Sequence, residues 1–160
     1  NEIHPKRAKI LSENVERMGV GNALVLNHEP AYLAQRFPEA FDRILVDAPC
    51  SGLGVIRKQP DIRYKDPEPL KDLPQVQRAI LDNAARYVKP GGVLVYSTCT
   101  LLRRENEAVA LGFLADHPHF KAEGFPLPEC VGDARTGMLT LWPHRQGTDG
   151  FFICRLRREG

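Results

Sequence analysis

Arg43-Ile-Leu-Val-Asp47-Ala-Pro-Cys50-Ser-Gly52 is a short apolar run that stops in small and polar residues with a cysteine among them. A distant stretch, Val95-Tyr-Ser-Thr-Cys99-Thr100, has the same design. Apolar runs of about four or five residues, halted by Pro, Ser or Gly, read as buried strands that lead into functional loops. Two such strands set side by side would place two sulfurs on one edge of a parallel sheet, where α/β proteins bind their ligands. The fold follows from that pairing, and so does the first candidate site.

Upstream, Glu2-Ile3 reads as the end of a strand. His4-Pro5 opens a helix to about Met18, with Leu11, Val15 and Met18 as its apolar stripe and Gly19 as its stop. Ala23–Asn27 reads as a strand, residues 31–36 as a short helix broken by Pro38, and Phe41–Ala48 as a strand apolar on both faces and therefore central. Residues 50–73 form a long loop of the kind that is usually functional, with the cations Arg57, Lys58, Arg63 and Lys65. A helix then opens near Asp72, presents Val76, Ile80, Ala84 and Tyr87 on one face, and stops at Lys89-Pro90-Gly91-Gly92. Val93–Ser97 is the next strand, and a helix over about 103–116 turns Val109 and Phe113 inward.

The pattern changes after that. Residues 120–137 read as irregular, and Met138–Trp142 and Phe151–Arg157 as two strands with no helix between them, hence an antiparallel hairpin. The expected fold is a doubly wound α/β sheet with an antiparallel edge.

The 160 residues, 42% of them hydrophobic, suffice for one domain with a core. A net charge of +2 neither requires nor excludes a nucleic-acid partner, so any basic surface must be local. No apolar run approaches the ~20 residues of a membrane span, and no secretory leader is apparent, so a membrane partner is not expected and a reducing cytoplasm is the default compartment. The four cysteines, Cys50, Cys99, Cys130 and Cys154, form no CxxC pair and no zinc spacing with the histidines. No metal is expected. Cys154, in an apolar run, reads as a small buried hydrophobe.

Asp47-Ala-Pro-Cys-Ser-Gly52, Gly54-Val-Ile-Arg-Lys-Gln-Pro-Asp61, Lys89-Pro-Gly-Gly-Val-Leu-Val-Tyr-Ser-Thr-Cys-Thr100, Glu105-Asn106-Glu107 and Gly147-Thr-Asp-Gly-Phe-Phe152 together resemble the Sun-type RNA cytosine-C5 methyltransferases. The resemblance runs over essentially the whole chain. It implies a Rossmann-like sheet that binds S-adenosylmethionine, RNA as partner (small-subunit rRNA in bacterial members), and 5-methylcytosine as product. It also implies that residues 1–160 are the C-terminal part of a catalytic domain. The first strand or strands, the glycine-rich cofactor loop and an N-terminal RNA-binding domain are expected upstream. The isolated chain is therefore expected to bind S-adenosylmethionine poorly.

Carbon 5 of cytosine is a weak nucleophile, and a thiolate adding at carbon 6 would activate it. Two thiols at neighbouring strand ends fit that need, but spacing leaves open which one attacks. The resemblance assigns attack to Cys99 and product release to Cys50, and a helix N-terminus is expected to activate Cys99. Asp47, closing a strand, is expected at the edge of the flipped base and against the cofactor. Glu2 and Glu29 match the family's acids after its second and third strands, and Arg7 matches a family arginine. All three are expected cofactor contacts. Arg57, Lys58 and Arg63 are the candidates for RNA phosphate contact. The competing readings are a catalytically silent RNA-binding scaffold and a methyltransferase acting on another RNA base or on an exocyclic amine.

Overall fold

The computed structural model describes every residue except Lys65, Pro67 and Glu129, together with every other side chain except that of Pro69. Five strands form one mixed sheet: β1 (Phe41–Asp47), β2 (Val88–Thr98), β3 (Phe120–Ala122), β4 (Met138–Leu141) and β5 (Phe151–Arg158). The order is β1-β2-β5-β3, with β4 also pairing β5. β1 and β2 run parallel, in register from Arg43↔Val93 to Asp47↔Ser97. β5 runs antiparallel to β2, β3 and β4, which bears out the terminal hairpin and places its second strand inside the sheet. No helix of the described residues is long and apolar enough to cross a membrane.

Strand alternation sorts the side chains into two faces. Val46, Leu94, Tyr96, Phe152, Cys154 and Leu156 fall on one face and are buried. Two helices cover it, α3 (Leu73–Tyr87) and α4 (Glu107–Asp116), through Leu81, Ala84, Ala85, Val109, Ala110 and Phe113. Fully buried side chains such as Leu81, Leu94 and Phe113 contribute roughly 1.5–3 kcal/mol each. Cys154 belongs to this core, and burial pushes its thiol up to about 12.

Several expectations change. Within the described sheet β1 is the outer strand, and Leu45 on its second face is 69% exposed, where the apolar sequence suggested a central strand. The buried face of α3 is Gln77, Leu81, Ala84, Ala85 and Tyr87: Ala84 and Tyr87 of the expected stripe are buried and Ile80 packs against the core, while Val76 lies outside. Helix α1 (Pro5–Arg17) forms as expected from Pro5, yet only Ala8 is buried, and of the expected stripe Leu11 and Met18 are exposed and Val15 partly so. Residues 23–27 form no strand. A strand needs a ladder, and here Glu2 N–H to Leu26 O, 2.9 Å, is the backbone link, supplemented by the Asn27 side chain on the carbonyls of Glu2 and Ile3. Helix α2 (Pro30–Arg36) follows. The irregular 120–137 stretch contributes β3, and the hairpin connector holds one helical turn, α5 (Pro143–Gln146). Lys89–Gly92 loops out of the β2 ladder, whose register jumps from Phe41↔Val88 to Arg43↔Val93.

Candidate active site

Both cysteine loops leave the same edge of the sheet because β1 and β2 are parallel neighbours ending in register at Asp47 and Ser97. The Ala48 N–H donates to Ser97 O at 3.0 Å and carries the pairing one step past the strand. Beyond it the loops converge, and Cys50 Sγ lies 3.1 Å from Cys99 Sγ. Both side chains are half-buried.

At that distance one sulfur donates to the other, so the two thiols do not ionise independently. The hydrogen bond from Cys50 lowers Cys99 to about 7, against the opposing effects of burial and of the Asp47 charge. The same contact, then burial, then the charge on Cys99 hold Cys50 far above the ordinary thiol range. Cys50 is the more deeply buried partner, so the negative charge resides on Cys99. The expected helix N-terminus is not the source of the lowering; the neighbouring thiol is. Asp47 is exposed, and its Oδ1 accepts from Ser97 Oγ at 3.3 Å.

The loop after Cys50 is fastened on two sides. Gly52 takes φ 74° and starts a turn of 3-10 helix, Leu53–Val55. The Gly54 N–H donates to Cys99 O at 2.9 Å, and Gly54 O accepts from the Gly150 N–H at 2.8 Å. A Cβ at position 54 would lie 2.0 Å from Gly150 O and 2.7 Å from Cys99 O. Only glycine permits that approach.

Behind the thiols is a buried polar cluster that the sequence did not single out for a role. Glu105 and Gln77 are completely buried. Glu105 Oε2 accepts from the Ser51 N–H at 2.9 Å and from Gln77 Nε2 at 3.1 Å, and Gln77 Nε2 also donates to Pro49 O at 2.9 Å. The Tyr96 hydroxyl donates to Glu105 O. Ser51 Oγ and Thr100 Oγ1 are 2.7 Å apart and link the two cysteine loops directly. Asn106 Nδ2 donates to Thr100 O at 3.0 Å, and its Oδ1 accepts from Thr98 Oγ1. The available signal was an acid in Glu105-Asn106 close behind the Cys99 motif, and a glutamine at the buried phase of α3.

The other candidates fall into two groups. Glu2 Oε2 is 2.9 Å from an Arg7 nitrogen, and Glu2 Oε1 accepts from the His4 N–H at 2.9 Å. His4's N–H, with help from the Arg7 charge, holds the Glu2 carboxyl below the usual carboxylate range. Asn1 and His28 bond reciprocally across the same junction, which brings Glu29, exposed ahead of α2, next in line. In the long loop, Ile62 is buried and anchors the turn Pro60–Tyr64, leaving Arg57 and Arg63 exposed. Lys58 Nζ is 2.6 Å from Asp149 Oδ2, so its charge is already paired. Lys65, counted in the same basic cluster, lies outside the described residues.

Comparison with known proteins places this arrangement. The "Probable ribosomal RNA small subunit methyltransferase B" of Bacillus subtilis is 43% identical over 165 residues, covering 99% of this chain and 37% of that protein. The "Ribosomal RNA small subunit methyltransferase F" of Salmonella paratyphi B is 42% identical, covering 99% of this chain and 34% of that protein. The chain thus spans little more than a third of the length of these relatives. Among solved structures, PH0851 superposes with a TM-score of 0.89 at 35% identity, covering 98% of this chain and 36% of that one. NSun6 from Pyrococcus horikoshii, in a structure with SFG, superposes with a TM-score of 0.79 at 30% identity, covering 99% of this chain and 40% of that one. The model of the family "16S rRNA methyltransferase RsmB/F" matches residues 1–157, and the chain belongs to that family.

Proposed function

We propose that the protein of which this chain is part methylates carbon 5 of a cytosine in small-subunit rRNA, in the cytoplasm, through a covalent adduct with Cys99. The observation that carries this reading is the 3.1 Å contact between two thiols on the loops that leave neighbouring parallel strands. Methylating an exocyclic amine needs no such pair.

The Cys99 thiolate adds to carbon 6 of the flipped cytosine, forming the S–C6 bond and moving the C5=C6 electron pair onto carbon 5. Asp47, exposed at the end of β1, accepts a hydrogen bond from the amino group on the N3 edge of the base and steadies the adduct. When bound, S-adenosylmethionine supplies the electrophilic methyl group that carbon 5 takes. Once its charge has been consumed in the S–C6 bond, Cys99 no longer suppresses ionisation of Cys50. Cys50 then gives its proton to solvent and its thiolate acts as base: it takes the carbon-5 proton, the C5=C6 bond re-forms and the S–C6 bond breaks, returning the Cys99 thiolate.

The residues present fit the cofactor. Glu2, Glu29 and Asp47 offer carboxylate oxygens, the acceptors that ribose hydroxyls and a positive sulfur require, and Arg7 holds the Glu2 carboxylate in place. Arg57 and Arg63, with Lys58 beside them, provide the cations for RNA phosphates. The remaining length of the relatives leaves room for the cofactor loop and an RNA-binding domain upstream, and residues 1–160 are proposed as the C-terminal part of the catalytic domain.

The test uses the complete protein, labelled S-adenosylmethionine and small-subunit rRNA. Cys99→Ala is expected to abolish both methylation and adduct, whereas Cys50→Ala is expected to trap a protein–RNA adduct that survives denaturation. The reverse pattern would exchange the two roles. Full turnover by Cys99→Ala would end the covalent reading.

A further inference from the structure

The buried pair Glu105–Gln77 has no part in the chemistry above, yet it grips the backbone on both sides of Cys50. Glu105 takes the Ser51 N–H, and Gln77 takes Pro49 O while donating to the same Glu105 oxygen. The peptide groups that precede and follow Cys50 are therefore tied to one side-chain unit reaching in from two elements, α3 and the turn before α4. Both side chains are fully buried, and the second carboxylate oxygen of Glu105, Oε1, and the amide oxygen of Gln77, Oε1, have no hydrogen-bond partner among the described residues. Burying a carboxylate and an amide with one oxygen each unsatisfied costs stability. Packing alone does not explain that penalty, since an apolar pair would fill the same space without it.

The Cys99 side of the centre is built differently. Its strand is held by the β2 ladder on two flanks, by Asn106 on Thr100 O and by the Tyr96 hydroxyl. Cys50 stands three residues past the end of β1, after a proline that donates no hydrogen bond. Its position rests on the Glu105–Gln77 grip, on the Ser51–Thr100 hydroxyl contact and on the Gly54 clasp.

We propose that Glu105 and Gln77 are the positioning residues of the release step, holding the Pro49–Ser51 backbone so that the Cys50 sulfur reaches the carbon-5 proton of the adduct. This rests on the covalent reading above and deepens it. Neither residue touches substrate. Loosening the grip leaves attack by Cys99 largely intact and slows elimination, so adduct should accumulate.

The experiment is a single-turnover reaction of the complete protein with S-adenosylmethionine and small-subunit rRNA, resolving free methylated RNA from denaturation-resistant adduct. Glu105→Ala leaves the Ser51 N–H unpaired and is expected to slow release by about a hundredfold, the scale on which a misplaced reacting group loses rate. Adduct should form at a near-native rate in that variant. Glu105→Gln, whose amide oxygen still accepts from Ser51, is expected to restore most of the release. Gln77→Leu frees Pro49 O and removes one donor from Glu105 but leaves the Ser51 N–H paired, and serves as the second, milder variant should Glu105→Ala fail to fold, as read from its thermal melt. A merely structural role would depress adduct formation and release together, and that outcome in a folded variant would overturn the proposal. Native release by both Glu105→Ala and Gln77→Leu would also overturn it. Cys50→Ala and Cys99→Ala run alongside: if neither traps an adduct, the covalent reading itself has failed, whatever the Glu105 variants do.

Discussion

Cys99 and Cys50 are chemically alike in sequence and are separated by what surrounds them. A thiolate near pH 7 and a protonated neighbour 3.1 Å away form a stable division of one proton between two sulfurs. This has a consequence that does not depend on RNA. Alkylation of Cys99 by iodoacetamide should rise with pH through about 7 and level off above it, because the reactive form is the thiolate. In Cys50→Ala the stabilising S–H is gone while burial and the Asp47 charge remain, so the midpoint should move up, to about 8.5 or higher. Mass-spectrometric rates at Cys99 check this, and an unchanged midpoint would mean that Cys50 is not the source of the lowering. The two motifs and their chemistry could be read from the residues. Which sulfur carries the charge could not, since that depends on the relative burial of the two side chains and on the direction of one hydrogen bond.

At the scale of elements, strand-end reasoning brought Asp47, Cys50 and Cys99 to one sheet edge because parallel pairing of β1 and β2 leaves no other place for them. What sequence periodicity missed has a common cause. On α3 it overlooked Gln77, a fully buried polar residue that no hydrophobic stripe would include, and residues 23–27 formed no strand because a ladder depends on a partner and not on composition. β3 is short and borrowed from a Pro- and Gly-rich stretch, so its pairing with β5 left no local signature. The Gly54 clasp belongs here too. Gly54→Ala sets a methyl against two backbone oxygens that cannot rotate away, and should cost about 1–3 kcal/mol in the denaturant midpoint of the complete protein. Methylation should fall further than stability, because the displaced loop carries Cys50. A stable, fully active Gly54→Ala would show that the clasp yields without moving the thiol.

For the molecule as a whole, a net charge of +2 hides an uneven distribution, with exposed Arg57 and Arg63 beyond the reaction centre and Lys58 neutralised by Asp149. Arg57→Glu should weaken RNA binding and flatten its salt dependence, the log–log slope falling by about 0.7–0.9 for each phosphate that is no longer neutralised. Lys58→Glu is the poorer probe, since it also breaks the pair with Asp149. Titrations at several salt concentrations decide the matter, and an unchanged slope would remove this loop from the interface. The bond between Gly54 and Gly150 also sets an order in time. The ribosome releases both cysteine loops well before Gly150 and β5, so the growing chain carries two free thiols before the strand that fastens the Cys50 loop exists. The reaction centre is completed only after Gly150 has emerged, and a product cut short before that residue keeps both thiols but lacks the strand and the glycine that close the loop over them.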